Sequence, residues 1–545
     1  MSEDRTLLNI KGLTIQATSK RGISTIVDNV DLTVNRGEIV GLIGESGAGK
    51  STLGLASAGF VKPGCKIVGG SIMFAGQNLR ELSSREVRDV RGVKIAYVAQ
   101  SASASFNPAF KLIDQCVETA IQHGTLSAPD ARKRAEGLFT EMMLPEPHII
   151  GFRYPHQVSG GQLQRAMTAM AMVCRPDLII FDEPTTALDV TTQVGVLASI
   201  RSIVEHYHTA AIYVTHDLAV VAQMANRIMV MRYGKVVEEA PTRKMLAQPQ
   251  EDYTKSLWAV KNFRTDERPR PDGAPLLKVE NITAKYHSFK ALDDVSFDVP
   301  EGRTVAIVGE SGSGKSTMAR VITGLLPRSG GAIRFEGTEL SAKLADRRAA
   351  DLRAIQLIHQ NPDTALNPKQ RIGDIVGRPL SLYFGLRGKA RKDRVLDLLE
   401  MLELDGRKLY DRLPHELSGG QKQRVCIARA LAASPKLLIC DEVTSALDKV
   451  VAEGILKTLT RIQKEIGVSY IVITHDIALV EAVADEVVVL KSGRIIEAGS
   501  KTEVLSPPFA DYTKLLLAST PQMDPDWLTG LLRQRTVAEL EKMTG

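Results

Sequence analysis

The chain has 545 residues, which exceeds what a single hydrophobic core usually serves, so its length predicts two or more domains. Its hydrophobic fraction of 44% and charged fraction of 24% are those of an ordinary soluble globular protein, and no run of about 18 apolar residues occurs, which excludes a membrane-spanning helix. The net charge of +6 is a weak basic bias that argues for neither a nucleic acid nor a membrane surface.

The chain begins with the polar and acidic residues Met1–Arg5, with no apolar segment behind them, so we expect no export signal. Its cysteines form no C-x-x-C pair and no zinc-binding spacing. This usage predicts a reducing cytosolic compartment, in which thiols serve as small core residues. The five cysteines are Cys65, Cys116, Cys174, Cys426 and Cys440.

Residues 5–40 alternate apolar and polar positions with turn breaks, which predicts an antiparallel β edge. The apolar run Ile39–Ile43 then predicts a buried strand, and residues 44–52 after it fit G-x-x-x-x-G-K-[ST], the phosphate-binding P-loop. Glycines let successive backbone N–H groups surround an anion, and the following helix N-terminus adds partial positive charge. The candidate nucleotide-binding residues here are Gly44, Ser46, Gly47, Gly49, Lys50, Ser51 and Thr52.

Beyond the P-loop, residues 80–170 are rich in helical pattern, with a break at Ser101–Pro108. Residues 177–183 then predict an apolar strand that ends in two carboxylates. Further strands are predicted at 210–215 and 227–231.

The second half of the chain repeats these landmarks, which indicates an internal duplication. Ser-Gly-Gly-Gln occurs in both halves, and the spacings from its serine to the Asp-Glu pair and from that pair to a Thr-His pair are identical. The predicted organisation is a first domain at 5–261, a proline-rich, exposed linker at 262–275, a second domain at 276–519 and a tail at 520–545 with a possible helix at Val537–Lys542. The second P-loop supplies Gly309, Ser311, Gly312, Gly314, Lys315, Ser316 and Thr317.

Four side chains in each half are candidates for chemistry on a nucleotide. The P-loop lysine is placed to neutralise the β- and γ-phosphates. The next serine and the strand-end aspartate are predicted to hold Mg²⁺, which binds through few protein ligands, and the glutamate after that aspartate is the candidate general base. In chain order these residues are Lys50, Ser51, Asp182 and Glu183, then Lys315, Ser316, Asp441 and Glu442.

The Ser-Gly-Gly-Gln stretches resemble the signature motif of ATP-binding cassette (ABC) ATPases. A P-loop alone would admit kinases, GTPases and helicases, whereas a P-loop followed by this signature, Asp-Glu, Ala-Leu-Asp and Thr-His is specific to the ABC family. The resemblance covers roughly residues 5–260 and 276–519. It implies an α/β fold of two tandem ABC-type P-loop NTPase domains, each with a RecA-like parallel core, an antiparallel β subdomain and a helical subdomain.

The resemblance also implies a mechanism, in which the P-loop of one domain faces the signature of the other with ATP and Mg²⁺ between them. ATP closes this pair and hydrolysis opens it. The signature residues so implied are Ser159, Gly160, Gly161, Gln162, Ser418, Gly419, Gly420 and Gln421. The implied Q-loop glutamines, which sense Mg²⁺ and the attacking water, and switch histidines, which contact the γ-phosphate, are Gln100, Gln360, His216 and His475.

ABC domains usually stack adenine on an aromatic residue before the P-loop lysine. The second half offers Tyr286 for this contact. The first half has no aromatic residue between Leu13 and Val40, and Arg21 lies at the offset of Tyr286 from the lysine. Both halves keep all other motifs, so two competent ATP sites are expected, with different adenine contacts.

Three soluble ABC classes compete for the function. Ribosome-acting translation factors of the F type carry a long charged helical linker, whereas about 14 proline-rich residues separate the halves here, and DNA-repair ATPases carry large insertions and zinc cysteines that this sequence lacks. Residues 103–108 and 361–368 resemble the Q-loop extension of importers of oligopeptides, dipeptides, nickel chelates, glutathione and opines. The tyrosine-containing segments 249–254 and 507–513 resemble that family's C-terminal segment.

This second resemblance implies an ATP-hydrolysing importer subunit for peptides or related small solutes, with a ribosome-acting translation factor as the alternative. The subunit would lie peripherally on the cytoplasmic face of the bacterial inner membrane, against two integral membrane permease subunits that dock beside Gln100–Pro108 and Gln360–Pro368. An extracytoplasmic substrate-binding protein would deliver cargo, and no nucleic acid partner is implied. Some members carry a cysteine cluster for iron–sulfur, but no cysteine follows Cys440, so no iron–sulfur cluster is expected.

Overall fold

A computed structural model describes residues 5–19, 22–186, 188–259, 264–445 and 447–534. The chain divides into two units. Unit 1 takes in the residues up to Leu188, Thr192–Ala259 and those from Pro521 onward, and unit 2 takes in Asp189–Thr191 and the rest of the chain to Thr520. The helix expected at Val537–Lys542 lies outside the described residues.

Unit 1 contains ten strands and, up to residue 259, eleven α-helices, and its C-terminal segment is helical over the described residues 527–534. The strands are β1 (Thr6–Ser19), β2 (Gly22–Asn35), β3 (Ile39–Ile43), β4 (Cys65–Phe74), β5 (Gln77–Asn78), β6 (Ile95–Val98), β7 (Leu178–Asp182), β8 (Ala210–Val214), β9 (Arg227–Arg232) and β10 (Lys235–Pro241). The helices are α1 (Lys50–Ser57), α2 (Ser84–Val90), α3 (Ala102–Ser105), α4 (Leu112–Gln122), α5 (Ala128–Glu141), α6 (Pro147–Ile150), α7 (Gly160–Met172), α8 (Val190–Tyr207), α9 (Leu218–Met224), α10 (Thr242–Ala247) and α11 (Asp252–Ala259).

Unit 2 repeats this order of elements. Its strands are β11 (Leu277–Tyr286), β12 (Phe289–Val299), β13 (Thr304–Val308), β14 (Gly330–Phe335), β15 (Thr338–Glu339), β16 (Ile355–Ile358), β17 (Leu437–Asp441), β18 (Ser469–Thr474), β19 (Glu486–Lys491) and β20 (Arg494–Ser500). Its helices are α12 (Lys315–Thr323), α13 (Ala349–Ala354), α14 (Pro362–Ala365), α15 (Ile372–Phe384), α16 (Gly388–Met401), α17 (Gly406–Leu409), α18 (Gly419–Leu431), α19 (Lys449–Ile466), α20 (Ile477–Val483), α21 (Lys501–Val504) and α22 (Asp511–Ala518).

Each unit is built on two sheets. In unit 1 an antiparallel sheet has the order β2-β1-β4-β5, and a six-stranded sheet has the order β10-β9-β3-β8-β7-β6, in which β10 is antiparallel to β9 and the other neighbours are parallel. Strands β3, β7 and β8 are buried at every residue, as expected where both faces of a parallel sheet are covered. The carboxyl ends of these parallel strands meet at one edge, which is where such sheets bind ligands.

Unit 2 has the same strand orders, β12-β11-β14-β15 and β16-β17-β18-β13-β19-β20. The predicted fold class, an α/β protein of two P-loop domains with a parallel core, an antiparallel sheet and a helical part, is therefore confirmed. None of the helices that the structure describes is long and apolar enough to span a membrane.

The linker is attached to unit 2 over its described part. The Arg268 guanidinium donates two hydrogen bonds to the buried Asp485 carboxylate, at 2.6 and 3.0 Å, and the Thr265 amide donates to the Ala482 carbonyl at 2.9 Å. Thr265 and Arg268 are half-buried in the linker, because the buried Asp485 carboxylate needs a cationic partner and the linker supplies it.

The C-terminal segment packs into unit 1. The Gln223 side chain, on α9, donates to the main-chain carbonyls of Gln522 and Asp524 at 2.8 and 2.6 Å and accepts from the Leu528 amide at 3.0 Å. Leu528 is fully buried in the hydrophobic core of this unit, and Leu531 is nearly so. Unit 1, which contains the first described residues of the chain, therefore also takes part of its core from the last described ones.

We predict that Leu528→Ala destabilises the full-length protein by about 2–5 kcal/mol, because the substitution leaves a cavity in the core. Denaturant unfolding followed by tryptophan fluorescence measures this, since Trp527 is the neighbouring residue. Leu382→Ala is the matched control, because Leu382 is 69% exposed. Equal losses of stability in the two variants would contradict a core role for the segment.

Candidate functional site

The P-loop of unit 1 connects β3 to α1. Gly44, Gly47 and Gly49 have φ values of 148°, 84° and 97°, in the region that favours glycine. A Cβ atom on Gly44 would lie 2.1 Å from the Met231 carbonyl oxygen, whereas none of the described residues comes within 4 Å of a Cβ on Gly47. The loop is therefore tightly packed at one end and open at its middle, where a ligand can approach the backbone.

The P-loop lysine is buried and points back along its own loop. The Lys50 ammonium donates to the carbonyl oxygens of Gly44 and Glu45 at 2.7 and 2.9 Å. Lys315 makes the same bonds to Gly309 and Glu310, at 2.8 and 2.7 Å. Burial lowers the pKa of Lys315, because the charged form loses hydration. A polyanion in the loop supplies the counter-charge that such a buried ammonium favours.

The strand-end aspartate contacts the P-loop serine. The Ser51 hydroxyl donates to Asp182 Oδ1 at 2.8 Å, and the Tyr97 hydroxyl donates to Asp182 Oδ2 at 2.6 Å. This hydroxyl and carboxylate are oxygen donors of the kind that Mg²⁺ prefers, and two protein ligands suffice for an ion that retains water and binds phosphate oxygens.

The aspartate of unit 2 has one fewer of these hydrogen-bond donors. The Ser316 hydroxyl donates to Asp441 at 3.0 Å, as in unit 1. The third residue of β6 is Tyr97, whereas the third residue of β16 is Leu357, which has no hydroxyl. Burial raises the pKa of Asp441 above its usual range. Tyr97 was not foreseen from the sequence, because only the pairing of β6 with β7 brings it beside the carboxylate.

The Glu183 carboxylate is held from several sides. Its Oε2 accepts hydrogen bonds from Gln100 Nε2 at 2.9 Å and from the Thr186 hydroxyl at 3.1 Å, and its Oε1 lies 3.1 Å from His216 Nδ1. Burial alone would raise the pKa of Glu183, but the bond to His216 and the charge of Lys50 outweigh it and hold the pKa below its usual value. Glu183 is therefore an ionised carboxylate at neutral pH.

Glu442 in unit 2 has the corresponding partners. It accepts from Gln360 Nε2 and lies 3.3 Å from His475 Nδ1. Burial would raise the pKa of Glu442, but His475 lowers it overall, and Glu442 in turn raises the pKa of His475 against the effect of burial. In unit 1 the Thr186 hydroxyl donates to the Glu183 carboxylate. Ser445, at the same position in unit 2, donates instead to the Glu442 main-chain carbonyl.

The signature motif forms the start of α7. Ser159 Oγ accepts from the Gln162 amide at 3.3 Å, and Gln162 Oε1 accepts from the Ser159 amide at 3.0 Å, which is a capping box. A Cβ on Gly161 would lie 2.2 Å from the Thr192 side chain, while a Cβ on Gly160 would meet nothing within 4 Å among the described atoms. Helix capping and packing thus explain three of the four residues, and Gly160 keeps the helix N-terminus accessible.

Unit 2 builds its signature in the same way. Ser418 and Gln421 form a capping box at the start of α18, with bonds of 3.3 and 3.1 Å, and a Cβ on Gly420 would lie 2.7 Å from Val451. A Cβ on Gly419 would come no closer than 3.9 Å to any described neighbour.

Two tyrosines complete the P-loops and were not foreseen as site residues. The Tyr253 hydroxyl accepts a hydrogen bond from the Glu45 amide at 3.2 Å, and the Tyr512 hydroxyl accepts one from the Glu310 amide at 3.1 Å. Burial is the main cause that raises the pKa of each tyrosine to about 12. The recurrence of Asp-Tyr-Thr in both halves was the available signal, since the sequence analysis singled out these segments only as a family feature.

The position expected to contact adenine holds different residues in the two halves, and strand register identifies the equivalent positions. Thr14 on β1 pairs with a glycine of β4, and Thr283 on β11 pairs with a glycine of β14. The residues three positions after these threonines are Ala17 and Tyr286. Counting back from the P-loop lysine selects Arg21 instead, because β1 and β2 form a longer hairpin than β11 and β12. Arg21 lies outside the described residues. Unit 1 thus has an alanine at the position of Tyr286.

The structure brings six of the predicted side chains of unit 1 into one hydrogen-bonded or charge-coupled group at the carboxyl edge of the sheet. The signature residues make their bonds within their own motif. The six side chains are those of Lys50, Ser51, Gln100, Asp182, Glu183 and His216.

Comparison with known proteins gives a consistent result. The ABC transporter family matches residues 27–186 and 292–445, and the family "Oligopeptide/dipeptide transporter, C-terminal region" matches residues 496–545. Glutathione import ATP-binding protein GsiA of Escherichia coli O6:H1 is 36% identical over 95% of this chain and 90% of its own length, and that of Escherichia coli K12 is 35% identical over the same shares.

A solved structure also resembles the chain over most of its length. An archaeal ribosome recycling factor, aABCE1, solved with the ribosomal stalk protein aP1, has a TM-score of 0.59 and 20% identity and covers 88% of both chains. At this identity the likeness shows the fold alone. The two family matches and the GsiA relatives show more: the chain belongs to the ABC transporter family of ATP-binding proteins, with the C-terminal region of the oligopeptide and dipeptide transporters.

Proposed function

We propose that this protein is the ATP-hydrolysing subunit of an importer for peptides or related small solutes. The observation that carries the proposal is the ionised Glu183, held beside a P-loop lysine and a Ser–Asp pair, together with its counterpart in unit 2. The GsiA relatives, named for glutathione import, and the transporter C-terminal region support import as the process served.

The comparisons favour this function over action on the ribosome. The likeness to the ribosome recycling factor rests on 20% identity, whereas the import proteins are 36% identical over nearly the whole chain. The C-terminal match at 496–545 also belongs to transporters.

Both P-loops fit a nucleoside triphosphate, because their glycines cannot carry side chains at the close approaches and their lysines are buried cations bonded to carbonyl oxygens of the same loop. Ser51 with Asp182, and Ser316 with Asp441, would hold Mg²⁺. The bound Mg²⁺–ATP supplies the phosphoryl group and its leaving group. Lys50 and Lys315 bind and neutralise the phosphate oxygens.

The glutamates perform the proton transfer. Glu183 is ionised and largely buried, so it accepts a proton from a water molecule that attacks the γ-phosphate. Gln100 and His216 hold its two carboxylate oxygens and thus fix the direction from which that water approaches. Glu442 acts in the same way in unit 2.

The remaining roles follow from the family resemblance. The signature residues Ser159–Gln162 and Ser418–Gln421 contact the γ-phosphate of ATP, which an accessible glycine and a helix N-terminus favour. Tyr286 stacks on adenine in unit 2. Two integral membrane permease subunits dock beside the Q-loops on the cytoplasmic face of the inner membrane, and a substrate-binding protein delivers cargo from outside.

Co-purification tests the function directly. We expect the tagged chain, isolated from detergent-solubilised native membranes, to bring down two integral membrane proteins, because an importer ATPase acts only on a permease. Mass spectrometry of the captured proteins measures this. Recovery of ribosomal proteins in place of membrane proteins would reject import and support the translation alternative.

Replacing both glutamates by Glu183→Gln and Glu442→Gln should lower ATP hydrolysis by about 10²–10⁴-fold, because the amide cannot accept the proton. ATP binding, measured with a fluorescent analogue, should remain. Glu118→Gln, an exposed change on α4, is the control and should retain normal turnover. Normal hydrolysis in the double variant would remove both residues from the catalytic role.

Tyr97→Phe should weaken Mg²⁺-dependent ATP binding in unit 1 by about tenfold, because outer-shell bonds to a metal-binding carboxylate typically contribute that much. Titration with Mg²⁺ in a Lys315→Ala background isolates this site. Tyr207→Phe removes a hydroxyl that bonds to the distant Glu141 and should have no effect. An unchanged Mg²⁺ requirement would show that Asp182 needs only its bond to Ser51.

A further inference from the structure

Unit 1 has a cavity at the amino edge of its parallel sheet, opposite the edge that carries the P-loop. We call it the basic cavity. Its volume is about 560 Å³, which is in the range of small-molecule sites. Its walls are the loops that lead into β3, β7 and β8, three adjacent strands of the sheet. The residues that line it include Arg36, Arg175, Asp177, His206, Tyr207 and His208.

Two cations share one carboxylate beside the basic cavity. The Arg36 guanidinium and the Lys94 ammonium lie 3.8 and 3.7 Å from the two oxygens of Asp177, which is beyond hydrogen-bond distance. A third cation, the Arg175 guanidinium, lies 5.2 Å from the centre of the Tyr207 ring. These cations therefore stand near one another with a single carboxylate between two of them.

A second carboxylate, that of Glu141, contacts two of the lining residues. It accepts a hydrogen bond from the Tyr207 hydroxyl at 3.0 Å, and its other oxygen lies 3.9 Å from His206 Nδ1. The rings of His206 and Tyr207 are stacked, with their centres 4.6 Å apart. With this carboxylate counted, three cations face two carboxylates. The excess of positive charge favours an anion in the cavity.

Strand register identifies the equivalent positions in unit 2. Leu178 pairs with Ala210 at the start of β7 and β8, and Leu437 pairs with Ser469 at the start of β17 and β18. The pairings of β3 with β8 and of β6 with β7 have matching counterparts in unit 2. The loops before these strands can therefore be compared residue by residue.

The charges at this edge are different in unit 2. Two of its residues are acidic where unit 1 has an arginine and a histidine, and a lysine takes the place of Asp177. Since unit 2 forms the same sheet, the fold does not require the cations of unit 1. Glu301, Ala354, Ser434, Lys436, Glu465 and Gly467 stand at the positions of Arg36, Lys94, Arg175, Asp177, His206 and His208.

Two side chains of the basic cavity stand on a left-handed backbone. Arg175 and His208 each have a φ of 50°, which disfavours residues other than glycine. Unit 2 has Gly467, with a φ of 71°, at the position of His208. Unit 1 thus keeps an imidazole where the backbone favours glycine, and backbone strain of this kind is typical of binding sites.

We infer that the basic cavity binds a small organic molecule that carries a phosphate monoester. Guanidinium and ammonium groups form strong charge-assisted bonds to phosphate oxygens, and the volume leaves room for an organic part. The site is separate from the P-loop, because β3 runs between the two and its five residues span about 17 Å. The inference goes beyond the proposed function and does not depend on it.

Calorimetry tests the inference on the full-length Lys50→Ala plus Lys315→Ala variant, in which the P-loops contribute least to phosphate binding. Glycerol 3-phosphate or glucose 6-phosphate should bind, inorganic phosphate should bind more weakly, and glucose should not bind, because the cations hold the phosphate and the cavity holds the organic part. If neither ester binds, or if inorganic phosphate binds as tightly as both esters, the inference is overturned.

The variant Arg36→Glu plus Arg175→Ser, added to that background, introduces the residues of unit 2. It should weaken binding of the ester by about tenfold or more, because bonds to a charged group contribute that much. Arg85→Glu plus Arg88→Ser, at exposed positions of α2, changes the net charge equally and should bind the ester normally. Equal losses in the two variants would mean that only the overall charge attracts phosphate, and would overturn the inference.

His208→Gly, in the same background, separates binding from folding. It should weaken binding of the ester without lowering the melting temperature, because the backbone at this position favours glycine. The arginine variant is shown to be folded by unchanged ATP hydrolysis when it is made in the chain that keeps both P-loop lysines. Normal ester binding by both the arginine variant and the His208→Gly variant would overturn the inference.

Two further probes distinguish other anions. Citrate should bind more weakly than the esters, and tighter binding of citrate would assign the basic cavity to carboxylates. Vesicles that contain phosphatidic acid should not bind through the cavity. Flotation with such vesicles that is lost on Arg36→Glu plus Arg175→Ser would assign the phosphate to a lipid head group. Either result would overturn a soluble phosphate ester as the ligand.

Discussion

The structure depends on keeping a carboxylate ionised in a buried position at the end of a parallel strand. Burial opposes this charge by raising the pKa of Glu183, and in unit 1 this effect is overcome by His216, by the nearby charge of Lys50 and by the hydrogen bond from Thr186. Each of these side chains lies in a loop or helix start at the same edge of the sheet. The strand order is what brings them together, and the residues that appear separate in the sequence form one electrostatic unit.

Much of this site could be predicted from the sequence, because it is carried by short motifs that follow apolar strands. The P-loop, the strand-end Asp182–Glu183 pair and His216 are each recognisable locally, and the equal spacing in two halves indicates the repeated fold. Contacts between distant segments could not be predicted. The bond from Tyr97 to Asp182 depends on strand order, and the bond from Tyr253 to the P-loop joins residues about 200 positions apart.

The duplication provides an internal comparison that separates what the fold needs from what each half adds. The lysine, serine, aspartate and glutamate contacts are nearly identical in the two units. The differences lie around them: Tyr97 in unit 1 against Leu357 in unit 2 behind the aspartate, Ala17 against Tyr286 at the position expected to contact adenine, and apolar against charged side chains beside the Q-loop. The two units therefore share one hydrogen-bonded arrangement, while its surroundings differ.

The packing of the C-terminal segment into unit 1 has a consequence for synthesis. Gln223 and its neighbours leave the ribosome about 300 residues before Leu528, the residue that fills their core. Unit 1 therefore lacks these core residues while all of unit 2 is being translated, and the apolar side chains that Leu528 and Leu531 cover stay exposed during that interval. Such a chain finishes its first domain last, so the folding of unit 1 depends on residues that follow unit 2.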